Sequence, residues 1–241
     1  MRTLGILGGM GPMAGAYFYE RVIANTDSEG DSGHLPVILL SDPRIPDRST
    51  HLTLGGADPL PFLLSAIETL QAMRAEVIAI PCNTAHAYLP RMPSMPLSIV
   101  DMPRLAVAAA LARGAERIGL LSTRGTVLSG VYRTASEEQS CGLLTLPWES
   151  NGALEAIIYR QKAGETVDCE AYRPYVQWLL DEGADTVILG CTEISVAFSG
   201  TVSLQIVDAL EALAREAVVL CGGRLKERER EARYDVRRTV V

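Results

Sequence analysis

The sequence predicts an α/β fold of two pseudo-symmetric lobes, each a four-stranded parallel sheet flanked by helices, with the active site in the cleft between them. Three observations predict it. Short apolar runs alternate with helical stretches, the alternation occurs twice along the chain, and chemically distinctive residues fall at the ends of equivalent runs. Continuous Val/Ile/Leu runs suit parallel strands buried on both faces, and strand–helix alternation is how such sheets are wound.

Strands are expected over residues 3–7, 37–40, 77–80 and 98–100, then over 117–121, 143–146, 186–189 and 204–207, bounded by Gly, Pro or Asp. Helices are expected over 13–26, 59–72, 102–113, 151–163, 171–182 and 209–220. The repeat is visible in three places. Gly5-Ile6-Leu7 aligns with Gly119-Leu120-Leu121, the run from Ala75 to Cys82 with that from Ala184 to Cys191, and Ile99-Val100-Asp101 with Ile206-Val207-Asp208. Three segments in one order at similar spacing imply one topology used twice. The first lobe is then residues 1–100 plus 208–241, carrying the last helix and a charged tail, and the second is 101–207.

Composition narrows the function. A chain of 241 residues that is 48% hydrophobic has enough material for a substantial core. The net charge of −7 argues against nucleic-acid binding. Between Arg224 and Arg238 basic residues alternate with Glu227, Glu229 and Glu231, which reads as a solvated face or frayed terminus. No apolar run approaches the ~20 residues of a membrane span, and the opening MRTLGILGG has too short an apolar run for a secretory signal. A cytoplasmic protein is expected. Its five cysteines are widely spaced without a CxxC pair, which fits neither a disulfide framework nor a zinc site, so no metal is expected.

In open parallel sheets ligands bind outside the carboxyl ends of the strands. The repeat puts Cys82 and Cys191 at such ends, one per lobe, facing each other if the lobes face. Inverting a chiral carbon requires removing a proton from one face and delivering one to the other, and two opposed groups satisfy that geometry. A thiol with an unperturbed pKa of ~8.5 can act as either acid or base. Arg48 follows the second strand of lobe one, and Lys162 lies in the corresponding region of lobe two at the same separation as Gly5 and Gly119. The two cations suggest a substrate with more than one carboxylate.

The combination Gly8-Gly9-Met10-Gly11-Pro12, Pro46-Asp47-Arg48, Pro81-Cys82-Asn83-Thr84-Ala85-His86 and Gly190-Cys191-Thr192-Glu193-Ile194 resembles the aspartate/glutamate racemase family, on its aspartate racemase branch. The resemblance covers nearly the whole chain apart from the tail. It implies a two-base reaction without pyridoxal phosphate or any other cofactor, two pseudo-symmetric lobes and a homodimer. It also implies Cys82 and Cys191 as the acid/base pair, with Arg48, Lys162, Asn83, Thr84 and Thr192 contacting a small acidic amino acid. Met10, in the glycine turn, and its repeat equivalent Thr123 would line the same pocket. The chain departs from the cell-wall glutamate racemase branch, with Met10 where that branch usually has an acidic residue and Glu193 where it has His.

Other readings stay open. Gly9-Met10-Gly11-Pro12-Met13-Ala14 satisfies GxGxxA after a first strand, with Asp42 after the next, as in dinucleotide folds, but that pattern leaves the cysteine pair unexplained. The cleft would also suit a non-catalytic small-anion binding protein. A single nucleophilic cysteine would suit an isomerase, decarboxylase or hydrolase of a small carboxylate, and His86, four residues after Cys82, invites a Cys–His dyad.

Overall fold

The computed structural model describes residues 1–201 and 203–227. Its strands form two parallel sheets of identical topology. The first contains β1 (Leu4–Gly8), β2 (Val37–Ser41), β3 (Val77–Ala79) and β4 (Ser98–Ile99) in the order β2-β1-β3-β4. The second contains β5 (Arg117–Leu121), β6 (Gly142–Thr145), β7 (Thr186–Leu189) and β8 (Ile206–Asp208) in the order β6-β5-β7-β8. All eight expected strands are present, β5 and β7 with the expected bounds and the others with ends shifted by one or two residues.

The repeat is exact in register at its glycines. Gly5 pairs with Ile38 and Ile78, and Gly119 with Leu144 and Val187. A Cβ on Gly5 would sit 2.8 Å from Ala75 Cβ, and one on Gly119 3.2 Å from Ala184 Cβ. Ala75 and Ala184 are themselves repeat partners, so each half brings the turn before its third strand against a bare backbone position.

Alternation along the strands divides the core. Leu4 and Ile6 of β1, with Ile118 and Leu120 of β5, face a shared central core. That core is filled by α4 (Met102–Leu111) and α10 (Ala209–Leu220), whose alanines let the two sheets approach a thin helical layer. Leu7 faces the other way, onto α3 (Leu60–Ala72), while Leu121 and Leu189 face α7 (Trp148–Lys162) and α8 (Arg173–Asp181). Each central helix begins where a fourth strand ends. Asp101 caps α4 by accepting from Arg104 N, and Asp208 caps α10 by accepting from Leu210 N. The third repeat segment therefore marks the two crossings between the halves. Helix α10 packs on both α1 (Pro12–Asn25) and α4, serving the two halves together.

Short elements lie outside the expected helix ranges, among them α2 (Arg48–Leu54), the 3₁₀ helix Asn83–Arg91, α5 (Arg124–Ser129), α6 (Val131–Glu138) and α9 (Thr192–Ala197). One or two turns are too few to display a 3.6-residue hydrophobic period. Caps stabilise two of them: Asp47 accepts from Thr50 N at 2.7 Å, and Thr123 Oγ1 accepts from Thr126 N at 3.3 Å.

Of the charged tail, Leu225 bridges to Thr26, Lys226 N donates to Asn25 O and Arg224 pairs with Asp27 at 3.2 Å. The remainder, with Glu229, Glu231 and Arg238, lies outside the described residues. Among the described residues no helix is long and apolar enough to cross a membrane.

Candidate active site

Strand β3 delivers Cys82 to the head of the 3₁₀ helix, and β7 delivers Cys191 to the head of α9. Both side chains are buried, at 6% and 7% exposure, and both line one cleft. Met10, Arg48, Asn83, Thr84, Thr123, Lys162 and Thr192 line it too, so the fold brings together all nine residues singled out in the sequence. Asp47, Ser49, Gly190 and Glu193 complete the wall.

Arg48 is the first residue of α2, whereas Lys162 is the last residue of α7. They follow equivalent strands but occupy opposite ends of unequal helices, so their expected quasi-symmetry does not extend to local structure. Both reach the same atom: the Met10 carbonyl accepts from Arg48 Nη2 at 2.9 Å and from Lys162 Nζ at 3.4 Å. Arg48 Nη1 also donates to the Pro46 carbonyl at 3.1 Å, while its Nε is buried without a hydrogen-bond partner. Burial works against the guanidinium charge, yet Cys82, Asp47 and Glu193 around it hold its pKa above the usual arginine value.

Glu193 is the residue the sequence reading passed over. Its Oε2 accepts from the Cys191 thiol at 3.1 Å and from Thr192 Oγ1 at 3.3 Å, and its Oε1 lies 3.4 Å from Lys162 Nζ. Burial opposes its charge most strongly, but the Lys162 ammonium and the hydrogen bonds from the Cys191 thiol and the backbone together keep the carboxyl below its ordinary pKa. Lys162 is raised in turn: Glu193, Cys191 and Cys82 outweigh its desolvation. Burial first, then the Glu193 charge, pushes the Cys191 thiol well above its ordinary value. The two cysteines thus sit in different fields, Cys82 beside an arginine and Cys191 beside a carboxylate. A carboxylate immediately after Cys-Thr was the available signal.

Hydroxyl groups close one wall. Ser49 Oγ donates to Thr123 Oγ1 at 2.9 Å, Thr84 Oγ1 lies 2.7 Å from Thr126 Oγ1, and Thr123 Oγ1 lies 3.1 Å from Thr126 Oγ1. Ser49 and Thr84 come from the first half, Thr123 and Thr126 from the second. Here α2 and α5 nearly touch, since a Cβ on Gly125 would fall 2.5 Å from Ser49 Cα. Tyr159 OH donates to Asp47 Oδ1 at 2.7 Å, tying α7 to the cap of α2.

His86 serves the backbone. Its Nδ1 lies 2.9 Å from the Cys82 carbonyl, and its Nε2 accepts from Met102 N at 3.2 Å beside the Val100 carbonyl. The ring braces the chain that leads Cys82 into the first crossing, and no hydrogen bond joins it to the thiol.

A family model for Asp/Glu/Hydantoin racemase matches residues 7–217. The chain belongs to that family. Membership makes it an amino-acid racemase, an isomerase by class. Its structure is similar to that of the Picrophilus torridus aspartate racemase, with a TM-score of 0.79, 28% identity, and 94% of this chain and 96% of that one covered. In sequence it is 29% identical over 205 residues to the glutamate racemase of Ectopseudomonas mendocina, covering 80% of this chain and 70% of that protein. It is also 30% identical over 152 residues to the glutamate racemase of a Synechocystis strain, there covering 60% of this chain and 53% of the relative.

Proposed function

We propose that this racemase interconverts the two hands of an acidic amino acid, aspartate first, with Cys82 and Cys191 as bases on opposite faces of the α-carbon and no cofactor. The observation that carries the reading is the shared cleft: two cysteines, each heading a helix at the end of the third strand of its own half, line it from both lobes.

Chemistry follows from the two fields. A thiolate on one face takes the α-proton, so the C–H bond breaks, an S–H bond forms and the electron pair stays on carbon. The opposite thiol then protonates that carbon and becomes the thiolate, which leaves the enzyme set for the other hand. Cys191, donating to Glu193 and with its pKa raised, suits the resting acid; Cys82, facing Arg48, suits the resting base. As the α-proton leaves, negative charge spreads onto the α-carboxylate. Arg48 and Lys162 are pre-placed cations for the substrate's two carboxylates, which costs little reorganisation in a buried site, and the Asn83 amide holds a carboxylate equally before and during proton transfer. Met10, Thr84, Thr123 and Thr192 shape the remaining wall, with Thr84 and Thr123 bonded across the two halves.

Aspartate is favoured over glutamate by the similarity to the Picrophilus torridus aspartate racemase, which runs through nearly all of both chains. The reading includes a homodimer, as the family resemblance implies, and the cytoplasmic location expected from the sequence. Proton NMR in D₂O, paired with circular dichroism of the amino acid, tests the activity. L- and D-aspartate should both exchange the α-proton and lose optical rotation, faster than glutamate and much faster than alanine. Exchange confined to neutral amino acids, or none with either acidic one, overturns the proposal.

A further inference from the structure

We propose that Tyr132 is a positioning residue for substrate: by holding the oxygen end of the Asn83 amide, it turns the nitrogen end into a carboxylate donor beside Cys82. The inference rests on the reading of the cleft as an acidic amino acid's site.

Asn83 directly follows Cys82, is 2% exposed and lines the cleft. Its Oδ1 accepts from Tyr132 OH at 2.6 Å, while its Nδ2 is buried with no hydrogen-bond partner. A buried amide nitrogen left unpaired is costly, and such groups are rare in folded proteins. This one lies in the wall of an anion-binding cleft, where a carboxylate oxygen would satisfy it.

An amide presents either end with little steric difference, so something must select the end. A separation of 2.6 Å matches an O–H···O bond and is short for N–H···O. Tyr132 is 1% exposed, and burial, with the Asp101 and Asp208 charges adding to it, pushes its pKa well above the ordinary phenol value. The phenol therefore keeps its proton throughout the working range and remains a donor. Without that hydroxyl the amide is free to rotate, and its carbonyl would then face, and repel, the substrate carboxylate.

The bond also crosses the molecule. Asn83 stands on the 3₁₀ helix of the first half and Tyr132 on α6 of the second. The orientation of the amide therefore depends on a contact between the two halves. Nothing in the motif containing Asn83 announces this, because Tyr132 lies 49 residues away.

A double-mutant cycle tests it, read by the KM and kcat of L-aspartate and by calorimetric binding of succinate, a dicarboxylate that cannot react. Tyr132→Phe should raise KM and weaken succinate about tenfold, the worth of one hydrogen bond to a charged group, with kcat changed far less. Asn83→Ala should do the same, and the double variant should be no worse than Asn83→Ala alone, since Tyr132 acts through Asn83. Additive losses, or a Tyr132→Phe defect in kcat alone, overturn the assignment. If Tyr132→Phe fails to fold, Asn83→Asp decides. Tyr132 still donates to the new carboxylate, whose free oxygen then faces the cleft, so succinate should weaken more than in Asn83→Ala; equal weakening overturns it. Intact succinate binding in a wild-type protein without α-proton exchange would sink the racemase reading while leaving the role of Tyr132 standing.

Discussion

The Cys191 thiol donates to Glu193 Oε2 at 3.1 Å while the other oxygen of that carboxylate faces Lys162 at 3.4 Å. The carboxylate is therefore shared between a proton to be spent and a cation that keeps it charged. Glu193→Gln removes the negative charge that adds to burial in raising the Cys191 pKa, and leaves the Lys162 charge opposed by burial alone. The Cys191 pKa should fall. Iodoacetamide alkylation of Cys191, followed by mass spectrometry in a Cys82→Ser background, should show its midpoint at lower pH in Glu193→Gln. An unchanged midpoint refutes the coupling.

Cys82→Ala and Cys191→Ala should each abolish racemisation, with kcat down by about 10³-fold, within the range of a lost general acid or base. The losses should differ in kind. Each variant keeps one base, so α-proton exchange in D₂O should persist on one hand of aspartate only, and on opposite hands in the two variants. Racemisation at the wild-type rate by either variant ends the two-thiol mechanism.

Arg48→Lys should not restore what Arg48→Ala loses. The guanidinium bonds the Met10 and Pro46 carbonyls at once and keeps Nε free, whereas an ammonium offers a single point charge on a flexible stem. Both variants should lower kcat/KM for aspartate by about 10²-fold, the cost of truncating a buried, hydrogen-bonded charge. A near-normal Arg48→Lys enzyme in a steady-state assay would contradict this.

Gly125→Ala tests how closely the halves are joined. The new methyl would lie 2.5 Å from Ser49 Cα, a backbone atom that cannot swing aside, so α2 and α5 must part. Stability should fall by about 1–3 kcal/mol, as for other overpacked sites, and the Ser49–Thr123 hydrogen bond should break. Thermal unfolding reads the first effect and the KM for aspartate the second.

Glu216, on α10, is 4% exposed, its Oε1 has no hydrogen-bond partner, and burial raises its pKa from 4.5 to about 7. The folded state then holds a proton that the unfolded chain gives up between those two values. The associated stability is complete below about pH 4.5 and lost as pH rises through about 7. Glu216→Gln cannot ionise, so its melting temperature should exceed that of the wild type at pH 8, with the gap closing at pH 5. A constant gap across that interval would rule out Glu216 as the titrating group.

The doubled α/β topology, the strand set and the pairing of Cys82 with Cys191 were all readable in the residues. Parallel strands buried on both faces must be apolar throughout, and a duplicated topology preserves small residues, such as Gly5 with Ala75, where backbones meet. The short helices were not readable. Elements such as α2 and α5 are stabilised by one cap and by contacts to the opposite half, leaving no period in the local sequence. Equal spacing predicted that Arg48 and Lys162 would share a cleft, but not that one begins a helix, the other ends one, and both bind the Met10 carbonyl.

By itself, then, the sequence determined which residues stand at the carboxyl ends of equivalent strands, because strand and helix periods are local and a repeat copies them. Only the tertiary structure decided which cysteine faces a cation and which a carboxylate, and which end of the Asn83 amide meets Tyr132. Those outcomes depend on Glu193, Lys162 and Tyr132 arriving from separate elements, and on charge and hydrogen-bond distances of a few ångströms that no spacing along the chain encodes.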